Sequence, residues 1–236
     1  MSGGRRRVIA CGVLDTLADL RGALDRALAE DLGVRAAAQR ARILAGRDEA
    51  EDELLDSLER WRPCREIVAE SLAVACRREG LPEPAAALER VAARLGALEP
   101  LDDARRALPG LARVGELALV SALDPEDLAA FAGRLPVPVA HAVSARAVGA
   151  YPPEPDPLLA LLHEMALDED ELLFVSARAE RELYTAQDLG IEAAYVDRDG
   201  AGIPDELEVA HHVASLEALS RRLTGRRRRR RAPPRA

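Results

Sequence analysis

Val8-Ile9-Ala10-Cys11-Gly12-Val13-Leu14-Asp15-Thr16-Leu17 decides the fold. A basic flank, Arg5-Arg6-Arg7, precedes it, and Asp15-Thr16 closes the apolar run. A short apolar run bounded in this way reads as a buried strand. From Leu17 to about Leu98 the pattern turns helical, with apolar residues at three and four spacing, as in Leu17, Leu20, Leu24 and Leu28. Pro63, Gly80, Pro82 and Pro84 punctuate this region into four or five helices with no strand between them.

After Pro100 the grammar changes. Asp102 to Arg113 reads as a helix, Leu117 to Val120 as a buried strand ending at Ser121, and Asp124 to Leu135 as a helix with first-turn acids. Val137 to Val143 is strand-like, Pro157 to Ala166 helical, and Leu172 to Val175 a strand ending at Ser176. Arg181 to Leu189 reads as a helix closed by Gly190, followed by a strand over Ile191 to Val196. Strands alternating with helices predict an α/β core with a parallel sheet and crossovers. The core is interrupted after its first strand by an all-helical insertion. The expected division is a core of residues 5–16 and 100–223, a helical cap of 17–99, and a disordered arginine-rich tail of 224–236. In such sheets the crevice lies at the carboxyl ends of the strands. That selects Gly12 to Thr16, Ser121-Ala122, Tyr151-Pro152 and Ser176 to Glu182.

Composition excludes several classes. The chain of 236 residues is 48% hydrophobic and 31% charged, which suits a packed core and rules out a disordered or fibrous protein. No apolar run approaches the roughly 18 residues of a membrane span. All 33 basic residues are arginine, so no lysine can serve as phosphate anchor, Schiff base or general base. The net charge of −8 is uneven: Gly225 to Ala236 carries seven arginines, leaving the remainder at −15. The acidic body is a poor specific binder of nucleic acid, whereas the Arg226–Arg231 run can contact polyanions. Cys11, Cys64 and Cys76 lack metal-ligand spacing, and no signal peptide precedes them. Reduced thiols in a cytoplasmic protein are expected. Val8-Ile9-Ala10-Cys11 mimics a lipoprotein cleavage box, but it lacks the apolar stretch such a signal requires.

Four segments in order resemble the haloacid dehalogenase (HAD) superfamily, and more closely its type II branch with a helical cap. Val8 to Leu17 resembles the first motif, usually a strand followed by Asp-x-Asp-x-Thr. Leu119-Val120-Ser121 resembles the second. Ser144 to Pro155 resembles the stretch around the third-motif lysine, and Val175 to Gly190 the fourth, commonly Gly-Asp followed by a second acid and a helix. Ala194 to Arg198 is similar to the last core strand. The resemblance spans Val8 to about Leu223 and implies a HAD-like, Rossmann-like parallel sheet with an inserted cap.

The catalytic residues that the resemblance implies are missing. Counting four residues back from Thr16 puts the nucleophile position on Gly12, and the acid/base position falls on Leu14. Neither can attack an electrophile or move a proton. Asp15 is present, but many relatives carry an extra Asp beside the motif threonine that does no chemistry. The lysine position is Pro152, and Gly-Asp of the fourth motif becomes Ser176-Ala177. Glu182 alone keeps an acid at the second position. With Gly12, Leu14 and Ala177 in place of carboxylates, a magnesium site is dismantled, so no metal and no cofactor is expected. The remaining ligand-binding candidates are Asp15, Thr16, Ser121, Ser176, Arg178 and Glu182. Thr16 and Ser121 are also suited to capping a strand end or a turn.

Other groups read as structural. His211-His212 suits a surface or a helix start, His141 a core or edge strand, and His163 a packed or half-exposed helix. Asp168 to Glu171 suits a solvated turn and Asp48 to Asp56 a solvated helix face. Trp61, Arg40 and Arg42 are cap residues that dehalogenase-type relatives would lend to the crevice, though Trp61 also suits core or interface packing. Two functions follow. One is a catalytically inactive binding or regulatory pseudoenzyme that recognises a small ligand or a protein partner. The other is an active hydrolase or other enzyme using relocated residues, namely Asp15, Ser121, Arg178 and Glu182. Relatives often pair through cap and core helices, so a homodimer is an expectation of the resemblance.

Overall fold

The computed structural model describes residues 7–82 and 85–231. Its centre is a six-stranded, all-parallel sheet in the order β3-β2-β1-β4-β5-β6. The strands are β1 (Val8–Gly12), β2 (Glu116–Ser121), β3 (His141–Ser144), β4 (Leu172–Ser176), β5 (Glu192–Val196) and β6 (His211–Val213). All five residues of β1 and of β4 are buried, as expected of central strands covered on both faces.

Alternation along the strands builds two cores. Ile9, Cys11, Leu117, Leu119, Leu173 and Val175 face one side. They meet α5 (Asp102–Leu111), α6 (Pro125–Ala132) and α10 (Leu216–Arg231). Val8, Ala10, Ala118, Val120, Leu172 and Phe174 face the other, against α8 (Asp156–Met165) and α9 (Tyr184–Asp188). A side-chain period of two makes this partition unavoidable once the strands are central.

The helical layer contains α1 (Leu20–Glu30), α2 (Ala37–Asp56), α3 (Cys64–Arg78) and α4 (Ala85–Ala93). Its apolar residues join the first core without a break. The chain leaves and re-enters the sheet region at one point, where Leu101 N donates to Leu17 O at 2.7 Å and Ala18 bridges Pro100. Across the seam, Trp61 stacks on Tyr151 with centroids 6.4 Å apart, and Arg146 lies over the indole. Tyr151 Oη donates to Arg62 O at 2.9 Å. Trp61 thus packs between layers rather than lining the crevice.

Several sequence expectations shift. Asp124 opens α6, but its carboxylate caps a different helix, accepting from Cys64 N at 3.1 Å and Arg65 N at 3.4 Å at the start of α3. β3 begins at His141 rather than Val137, because Pro136 and Pro138 interrupt the ladder. Arg181 to Leu189 is not one helix: a wide π-type turn, Ala179–Leu183, precedes α9. His211 and His212 stand on edge strand β6, with His211 buried, not at a surface helix start. His141 pairs with Glu164 at the other edge, and His163 is exposed on α8. The expected tail from residue 224 is also revised, since α10 continues to Arg231. Arginine is among the better helix formers, and the first proline after the start of α10 is Pro233. Residues 1–6, 83–84 (with Pro84) and 232–236 lie outside the described residues.

Candidate functional site

β1 delivers Gly12 to the carboxyl edge of the sheet, next to Val120 of β2. The chain then turns through Asp15, whose φ of +60° is the left-handed conformation that Asp tolerates better than most residues. Arg198, just after β5, holds this turn by donating to Thr16 O at 2.7 Å while its other arm meets Asp103 at 2.7 Å. Thr16 Oγ1 accepts from Ala177 N at 2.8 Å and so ties the β1 turn to the β4 turn. Ser121 Oγ accepts from Leu123 N at 3.1 Å. Both hydroxyls are therefore occupied in shaping loops.

Glu182 is the decisive residue. It reaches back from the π-type turn so that Ser176 Oγ donates to its Oε2 at 2.6 Å, while Ser176 Oγ accepts from Arg178 N. A Cβ added to Gly12 would lie well inside contact distance of Glu182 Oε2 and 3.3 Å from its Cδ. The carboxylate of residue 182 thus fills the space in which any side chain at position 12 would begin. Pro152 and Glu182 line the same small void of about 10 Å³, at most the size of one water site. Glu182 thus stands against Gly12 on one side and shares a small void with Pro152 on the other.

Burial pushes the Glu182 carboxyl above its ordinary range, with Arg178 and Ser176 opposing. Its stabilising contribution is full below the ordinary carboxylate pKa and is lost as pH rises through the raised value. Glu182→Gln, which cannot ionise, is therefore expected to be more stable than the parent near pH 8, with the difference shrinking toward about pH 4. Urea denaturation at the two pH values checks this, and a parent chain that gains stability with pH relative to the variant would contradict it.

Beside this floor lies an open crevice of about 550 Å³, between α2 and the loops after β1, β4 and β5. Asp15, Arg47, Asp48, Arg178, Arg181 and Tyr195 are among its walls. A second cavity of about 350 Å³ shares Asp15, Arg178 and Tyr195 with it. Thr16, Ser121, Ser176 and Glu182 line neither. The expected solvated face of α2 is corrected here: Glu51 is buried, and Arg47, Arg178 and Arg181 converge on it. Burial alone would raise the Glu51 carboxyl, but the three arginines outweigh it and hold the carboxyl below its ordinary range. Arg40 and Arg42 stay outside, bound to Asp25 and Glu79. Arg47 and Glu51 were missed in the sequence because an i, i+4 Arg–Glu pair in a charged helix looks like any exposed pair.

The L-2-haloacid dehalogenase from Xanthobacter autotrophicus superposes with a TM-score of 0.80 at 20% identity, over 93% of this chain and 99% of that one. The putative HAD-hydrolase YfnB from Bacillus subtilis, bound to magnesium, gives 0.76 at 17% identity, over 93% and 99%. A dehalogenase solved with an intermediate complex gives 0.79 at 20%, over 92% and 96%. This chain has the haloacid dehalogenase-like fold. No protein-family model matches it, and none of the curated proteins does. Within this HAD-like fold the residues present do not fit magnesium. Positions 12, 14 and 177 are Gly, Leu and Ala, and Leu14 is buried. Among the described residues no cluster of three or more His, Cys, Asp or Glu is arranged to hold a metal ion, and no helix is long and apolar enough to cross a membrane.

Proposed function

We propose that this HAD-like protein is a pseudoenzyme that recognises a ligand in its crevice without hydrolysing it. The observation that carries this reading is the filling of the position-12 space by Glu182. A hydrolase of this fold would need a nucleophile there with room for a substrate in front of it. Here glycine supplies no nucleophile, and the void beside Glu182, about 10 Å³, has no room for a substrate. Leu14 and Pro152 leave no acid/base group and no cation at the corresponding positions. The adjoining crevice, by contrast, has the volume of a small-molecule site and offers charged groups.

A second reading has one observation in its favour. Glu182 brings a carboxylate to position 12 from the opposite side, so a hydrolase with relocated Asp15, Ser121, Arg178 and Glu182 has a carboxylate near the right place. Burial pushes that carboxyl above its ordinary range and so disfavours the charged form a nucleophile needs, and Ser121 is committed to its own turn.

The test is a hydrolysis panel on purified protein, with and without Mg²⁺. Halide release from L-2-chloropropionate and phosphate release from p-nitrophenyl phosphate are followed beside Asp15→Ala and Glu182→Gln. No turnover above the buffer rate is expected. Turnover that disappears in either variant would overturn the pseudoenzyme reading and name the nucleophile.

A further inference from the structure

Most charges around the large crevice are already matched. Arg47 and Arg181 share Glu51, and Arg181 also meets Asp52. Asp48 is held from two sides, by Arg47 at 3.0 Å and by Arg21 at 2.9 Å. Two less fully matched groups, Arg178 and Asp15, line both cavities. Among the described residues the Arg178 guanidinium donates no hydrogen bond and makes one ion pair, with Glu51 at 3.5 Å, and its side chain is only 17% exposed. The Asp15 carboxylate accepts one bond, from the Arg21 backbone N–H at 3.3 Å. Of the other carboxylates near Arg178, Glu182 is committed to Ser176 and Asp48 to Arg47 and Arg21, while Asp15 faces Arg178 across the cavity without an ion pair.

We propose that the crevice binds a small zwitterion, with one carboxylate held by Arg178 and one ammonium group held by Asp15. This rests on the reading of the crevice as a recognition site. A planar guanidinium with free donors matches a carboxylate through two parallel bonds. Asp48, Asp52 and exposed Glu180 also border the cavity, so a doubly charged phosphate meets strong repulsion that a single carboxylate escapes. A ligand bearing only an anion would leave Asp15 facing it without a counter-charge, and a ligand bearing only a cation would do the same to Arg178. Tyr195, present in both cavities, offers a flat apolar wall for the carbon chain between the two charges.

Isothermal titration of the full chain with glycine, β-alanine, γ-aminobutyrate and ε-aminocaproate tests this, with butyrate and butylamine as single-charge controls. At least one zwitterion is expected to saturate, with the controls binding at least about tenfold more weakly. Arg178→Gln and Asp15→Asn are each expected to weaken that zwitterion by roughly tenfold or more. If Arg178→Gln does not fold, the comparison of zwitterion with single-charge probes on the parent chain decides alone. Absence of saturation by every zwitterion, or equal affinity for a single-charge probe, overturns the assignment. Turnover in the hydrolysis panel overturns the recognition reading instead, so the two failures are distinct.

Discussion

Gly12→Asp is expected to be the most damaging single change at the sheet edge, lowering stability by about 4 kcal/mol or more. Its Cβ would land against Glu182 Oε2, so the Glu182 carboxyl must give up its Ser176 bond and swing aside. Overpacking of a buried site costs roughly 1–3 kcal/mol by itself. A second buried carboxyl beside the first adds repulsion or forces one of them to stay protonated. For a chain of this size the melting temperature should fall by roughly 8–16 °C. Gly12→Ala should show only the steric part. Gly12→Asp combined with Glu182→Gly should recover most of the loss, because the incoming side chain then has room. Thermal denaturation of the three variants measures this. A Gly12→Asp protein that melts with the parent would mean that Glu182 does not occupy this space.

Glu51→Ala carries the second large effect. Glu51 is the single carboxylate on which Arg47, Arg178 and Arg181 converge, and it joins α2 to the segment after β4. Removing one partner of a buried ion pair costs about 3–5 kcal/mol, since the remaining charges stay desolvated. Arg47 keeps Asp48 and Arg181 keeps Asp52, which favours the lower end. The melting temperature should drop by roughly 6–20 °C. The pH dependence has the opposite sign to that of Glu182. The Glu51 carboxyl is held low, so its contribution is present above the ordinary carboxylate pKa and is lost as pH falls through the depressed value. The gap between parent and Glu51→Gln should therefore close on acidification. A gap that stays constant down to about pH 3 would show that Glu51 does not act through its charge.

These two residues mark the limit of what the sequence reveals. The strands were legible because β1, β2, β4 and β5 are short apolar runs with turn residues at their ends. The glycine, leucine and proline at positions 12, 14 and 152, on which the pseudoenzyme proposal draws, were legible because they depend only on which residue stands at a position. The π-type turn at Ala179–Leu183 was not, since no residue in it signals a wider turn, and it is this turn that carries Glu182 back to Gly12. Glu51 was hidden for a related reason. Its burial comes from arginines about 130 residues further along the chain, and periodicity within α2 carries no trace of them. Ser121 and Thr16 were drawn toward ligand binding by their place at strand ends, yet both serve loop structure, a competing use that short hydroxyl side chains readily adopt.

The indole at the seam has a spectroscopic consequence. Trp61 is the only tryptophan in the chain, and it rests between Tyr151 of the core and the Arg146 guanidinium. Any hinge movement that parts the helical layer from the sheet must unstack it and let water reach its ring. Intrinsic fluorescence then reports that movement directly, with no label and no second emitter of its kind. A red shift of emission during a ligand titration would register opening, and a blue shift closure.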